Sequence, residues 1–116
     1  MLQEVLYHRD IGFPKSLKMK SVSCVLKYSN HALKQSHRHG SKIKLPKSVQ
    51  INPEDIVELG MINRKPSKIL IRKSYSVKDD LILVISTDNN VVRTVWLNDK
   101  NDQHNTLDMS KYTVPN

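Results

Sequence analysis

Between residues 68 and 97 the apolar side chains fall into three short runs divided by turn signals, and this spacing constrains the fold more than any other feature. Lys68–Tyr75 alternates around Ile69 and Ile71, Leu81–Ile85 is apolar on both faces, and Val91–Leu97 forms the last run. Alternation of period two marks a half-buried strand, and a run apolar on both sides belongs in the middle of a sheet. Asp79-Asp80 supplies the first expected turn. Asp88-Asn89-Asn90 supplies the second, since Asn tolerates positive φ. The three runs therefore read as an antiparallel meander.

Upstream, Ser21–Tyr28 also alternates, with Val22, Cys24, Leu26 and Tyr28 on one side, and reads as a strand. A helix is expected directly after it. Ser29 or Asn30 can cap its start, Gly40 can close it, and Ala32, Leu33 and Ser36 form a narrow packing face. A second helix is expected from Asn52, with Pro53 at the first helical position, Glu54 and Asp55 in the first turn, and Gly60 at the end. Ile51 would staple onto Ile56. The predicted fold class is α+β: a strand, two short helices, then an antiparallel three- to four-stranded meander with the helices on one face. Length supports a single domain over 1–116, with 1–20 an arm or N-terminal element, 22–98 the core and 99–116 a polar tail.

The core must be built from Ile, Leu and Val, because the chain has one Phe and one Trp. No apolar run approaches the ~18–20 residues of a membrane span. One cysteine, Cys24, cannot make an internal disulfide and fits a reducing compartment, so the expected location is the cytoplasm. The net charge of +8 is uneven: residues 1–50 carry +8, residues 51–78 carry +3 and residues 79–116 carry −3. A chain with a basic front orients as well as attracts a polyanion. RNA is the leading expected partner, with an acidic host protein the alternative and no membrane.

Cofactor chemistry finds no support in the sequence. Three unclustered glycines exclude an ordinary P-loop or dinucleotide fingerprint. His31, His37 and His39 lie on a helix at spacings that do not converge on one metal ion, so neither metal nor cofactor is expected. Cys24, in an apolar strand, reads as a core thiol. Metal-independent RNA cleavage would need an acid, a base and cations for the phosphorane. His31, His104 and Tyr112 are the candidates for the catalytic roles. Lys34, Arg38, His39, Lys42, Lys44, Arg72 and Arg93 are the candidates for nucleic-acid contact. In the last strand, Arg93 is expected to face opposite to Thr94 and Trp96, so only one of those sets would line a cleft. Trp96 beside Val95 reads as core before it reads as a base-stacking platform.

The stretch Leu26–Gln35, with His31-Ala32 inside it, resembles the opening of a small family of domains with a "T/S-x-H-A-x-x-R" helix ending in Arg-Gly. The likeness continues through Pro53-Glu54-Asp55-Ile56-Val57 to the strands at 68–75, 81–87 and 91–97. Those domains are similar to the RelE/ParE-like toxins and the wider barnase–EndoU–colicin–RelE ribonucleases. The resemblance implies a helix pair on a four-stranded sheet and metal-independent RNA cleavage. The motif's arginines fall on Gln35 and His39 here, which favours binding over cleavage. A non-catalytic, phage-type modulator of nucleic acid or of a host protein is the competing expectation.

Overall fold

Leu81–Ile85 lies where its two-sided apolarity demands, in the interior of a six-stranded sheet. The computed structural model describes residues 3–37, 42–102 and 108–115. Among them are eight strands: β1 (Val5–His8), β2 (Val22–Val25), β3 (Lys27–Tyr28), β4 (Ser48–Ile51), β5 (Ile56–Ile62), β6 (Lys65–Ser74), β7 (Asp79–Ser86) and β8 (Val91–Asp99). One α-helix, α1 (Asn30–Gln35), and 3-10 turns at Pro53–Asp55 and Met109–Lys111 complete the described elements. The large sheet runs β1-β5-β6-β7-β8-β3, and β2 pairs with β4 in a separate two-stranded sheet. All neighbours in the large sheet are antiparallel except β3 and β8. No helix among the described residues is long and apolar enough to cross a membrane.

This overturns the expected α+β class with two helices on a meander. The start signal at Asn52 is genuine but governs one turn. The Asn52 N–H donates to the Asp55 carboxylate at 2.9 Å, and the chain makes a single 3-10 turn over Pro53–Asp55. Residues 56–62 then become β5, because they can pair on both sides, with β1 and with β6. A helix of the same length would gain few internal bonds against a costly nucleus. The expected turn at Asp79-Asp80 is also displaced. Both residues lie in β7, and the chain reverses just before them, where Tyr75 and Ser76 N–H groups donate to the Asp79 carbonyl. The expected strand Ser21–Tyr28 divides between two sheets at Leu26, so Leu26 is buried while Val25 is 74% exposed.

The core occupies one sheet face. Ile71, Leu83, Ile85, Val92 and Val95 are sealed from solvent there under Leu26, Ala32 and Ile51. Phe13, Met19, Ile43, Leu45 and Val49 pack around that cluster, so most of the segment before β5 forms a covering layer. The Tyr28 hydroxyl ties the layer together by donating to the Pro46 carbonyl, and burial pushes its pKa up to about 12. α1 seals the flank of β8 beyond the two residues that β3 pairs. Ser29 caps the helix by accepting from Ala32 N–H at 3.1 Å, its own N–H donates to the Val92 carbonyl, and Gln35 Oε1 accepts the Val95 N–H at 2.9 Å.

The β5–β6 hairpin turns on Asn63 and Arg64, both at positive φ (53° and 66°). Two left-handed residues make the turn that matches strand twist, but the second position favours Gly. Arg64→Gly is therefore expected to stabilise the protein by about 0.5–1 kcal/mol. The check is a raised urea midpoint at unchanged slope.

Candidate functional site

On the sheet face away from the core, alternation points Glu58, Leu70, Arg72, Ile82 and Trp96 the same way, and His8 joins them opposite Glu58. A bulge at β5 turns Val57 to this face as well. Together with Asp108, Lys111 and Tyr112 these residues line a cavity of about 260 Å³. Ile82 on its floor is buried, and Trp96 is half-buried.

The C-terminal segment makes one wall, and three ties hold it. Thr113 N–H donates to the Leu6 carbonyl on the outer edge of β1 at 2.8 Å. The Tyr112 hydroxyl donates to Glu58 Oε2 at 2.8 Å. Pro115 packs against Gly12, whose φ of +121° admits few other residues and whose missing Cβ would sit 3.1 Å from the Pro115 ring. Burial, followed by the hydrogen bond to Glu58, pushes the Tyr112 pKa up to about 12, so its hydroxyl stays protonated and remains a donor at neutral pH. His8 is buried, and its ring meets the Tyr112 ring edge-on at 5.0 Å between centroids. His8 Nδ1 accepts the Asp10 N–H at 3.1 Å, which leaves the ring proton of neutral His8 on Nε2.

At the far end, Arg72 makes three hydrogen bonds. Its Nε donates to Asp80 at 2.6 Å and its terminal nitrogens donate to the Asp99 and Asp102 carbonyls at 2.9 and 3.3 Å. Lys100 completes the cluster with bonds to Asp80 and Ser74, each 2.8 Å. The Lys100 hydrogen bond, then that of Arg72, holds the Asp80 carboxyl below its ordinary range. This guanidinium therefore anchors the turn after β8.

Two residues named from the sequence, Arg72 and Tyr112, meet in this cavity with Trp96. His31 does not line it: it is exposed on α1, at the flank of β8. Lys34, Lys42 and Lys44 are exposed on the covering layer, and Lys44 N–H donates to the Tyr75 hydroxyl at 2.9 Å. Arg93 is the extra residue of a bulge in β8, between Thr94 opposite Val84 and Val92 opposite Ile85. Its Nε donates to Ser86 at 2.8 Å, which puts it on the same face as Thr94 and not on the expected opposite one. Arg38, His39, Gly40 and His104 lie outside the described residues. Among the described residues no three His, Cys, Asp or Glu side chains come together as metal ligands would.

His8 and Glu58 escaped the sequence reading. They are fifty positions apart and meet only because β1 pairs with β5. A single signal was present: Glu58 is the one charge within the apolar run Ile56–Ile62. No family model, curated protein or solved structure matches the chain.

Proposed function

We propose that this protein binds RNA through its covering layer, as a binding protein and not as a nuclease. The observation that carries the reading is electrostatic. Residues 11–53 contain no Asp or Glu, and the described part of that stretch displays Lys15, Lys18, Lys20, Lys27, Lys34, Lys42, Lys44 and Lys47. All eight are exposed, and none forms an ion pair among the described residues. Four cations elsewhere, Lys68, Arg72, Lys73 and Lys100, are each matched to a carboxylate. Unmatched lysines gathered on one layer are a field suited to phosphates, which supply most of non-specific nucleic-acid affinity. α1 spans only about 9 Å by helical rise, too little to read a major groove, so contacts to the backbone carry the binding. The likeness of the Leu26–Gln35 stretch to ribonuclease-type domains puts RNA ahead of DNA.

Cleavage is not part of this proposal, because His31 and Tyr112 belong to different places in the molecule. The test is binding of labelled single-stranded RNA across a salt series. With about four lysines on phosphates, log K should fall against log[salt] with a slope near −3. Charge reversal at Lys20, Lys34, Lys42 and Lys47 should flatten the line, whereas reversal at Lys65 and Lys78 should not. A wild-type slope near zero overturns the reading.

A further inference from the structure

A second cavity, of about 320 Å³, opens at the β5–β6 hairpin and lies within the size range of small-molecule sites. Val5, Pro14 and Met61 give it an apolar wall, and Tyr7, Ser16, Asn63 and Arg64 bring polar groups. Val5 and Tyr7 alternate onto the core side of the sheet, with Leu59 opposite Tyr7 and Ile69 opposite Leu59. Glu4, next to Val5, takes the other side and is held there by Ser67 and Lys68. No acid therefore lines the cavity, and Arg64 is its one charge. Among the described residues, the side chains of Tyr7, Ser16, Asn63 and Arg64 have no hydrogen-bond or ion-pair partner.

Arg64 stands where the backbone disfavours it. The non-glycine residues at positive φ among the described residues are Asn63, Asn90 and Arg64. Asn accepts that conformation readily, whereas a long side chain is strained in it. Strain of this kind collects at ligand clamps, and here the strained residue is also the charge of the cavity. Donors gathered around one guanidinium, with no carboxylate among them, call for an anion. Their arrangement selects which anion. They come from three segments: β1, the loop before β2 and the hairpin turn. A carboxylate offers two oxygens in one plane, which a single guanidinium fork already satisfies. A phosphate monoester offers three oxygens around a tetrahedron and up to two charges, so it can engage all three segments at once. The apolar wall of Val5, Pro14 and Met61 then covers its organic part.

We propose that this cavity binds a small, free organic phosphate monoester, with Arg64 clamping the phosphate and Tyr7, Ser16 and Asn63 completing its shell. The RNA reading uses none of these four residues, so the two stand or fall separately. The test is titration of the full chain with phenyl phosphate, inorganic phosphate and benzoate, followed by amide NMR shifts. At about pH 7.5 the second phosphate ionisation, near 6, is essentially complete. Phenyl phosphate should bind about tenfold tighter than either of the other two. Arg64→Gly should weaken it about tenfold to a hundredfold. The same variant is expected to have a raised urea midpoint, so that loss cannot come from unfolding. Arg64→Lys keeps the charge but not the fork, and its affinity should fall between those of the wild type and Arg64→Gly. Failure of phenyl phosphate to bind, undiminished affinity in Arg64→Gly, or equal wild-type affinity for benzoate or inorganic phosphate would each overturn the proposal. A preference of about tenfold for a 5′-phosphorylated over a 5′-hydroxyl oligonucleotide, lost in Arg64→Gly, would also overturn it, because the occupant would then be an RNA end.

Discussion

Leu83→Ala should cost about 3 kcal/mol of folding stability, the largest loss expected from any single truncation in this chain's core. Leu83 sits on the central strand, is completely buried, and belongs to the cluster that joins the large sheet to its covering layer. Removing its branched end forfeits transfer free energy and leaves a void that two paired strands cannot collapse into. A protein of this length has about 5–15 kcal/mol in total, so a fifth or more of the stability disappears. Thermal unfolding followed by circular dichroism should show a Tm lowered by about 10 °C or more. Leu33→Ala provides the contrast. Leu33 is 42% exposed on α1, and its loss should stay below about 1 kcal/mol. Equal losses at the two sites would contradict the placement of the core on one face of the sheet.

The second large effect is expected at Asp80. Its carboxylate accepts from Arg72 at 2.6 Å and Lys100 at 2.8 Å, with Asp80 and Arg72 both mostly shielded from water. Asp80→Asn leaves two cations without their anion. A fully buried orphaned charge costs about 3–5 kcal/mol, and partial solvent access here reduces the expectation to about 2 kcal/mol. The pH dependence has a definite sign. Lys100 and Arg72 lower the folded-state pKa of Asp80, so its stabilisation is complete above the ordinary carboxylate value near 4. It is lost as the pH falls from there through the lowered folded value. Urea midpoints measured across that acid range should therefore drop less steeply in Asp80→Asn than in the wild type. A variant with the same stability and the same acid slope would contradict the assignment of Arg72 as an anchor.

How much of this could be read in advance depends on where each residue's partners lie. The strands at 65–99 declared themselves, because neighbours in the sheet are also neighbours in sequence and the turn at residues 87–90 carries its own Asn signal. β5 did not. Asn52, Pro53 and Asp55 form a correct helix start, yet local capping controls only the first turn. The path of residues 56–62 beyond that turn was decided by β1, four residues with no alternation to mark them. The cavity repeats the lesson. Trp96, Arg72 and Tyr112 could be named singly, but their meeting with His8 and Glu58 comes from strand order, and no spacing along the chain encodes it. Gln35 is a gentler case. Where the resemblance would place an arginine, the structure uses the Gln35 side chain to accept a backbone N–H of β8.

That bond has a counterpart across the molecule. Thr113 takes the Leu6 carbonyl at one margin of the large sheet, while Ser29 and Gln35 take backbone groups of β8 at the other. An open margin of paired strands is a template on which another chain can polymerise. Here both margins are already engaged by the protein's own tail and helix. Strand addition to the large sheet must first peel one of those segments away, so its rate should follow local detachment of the tail or of α1 and not global unfolding.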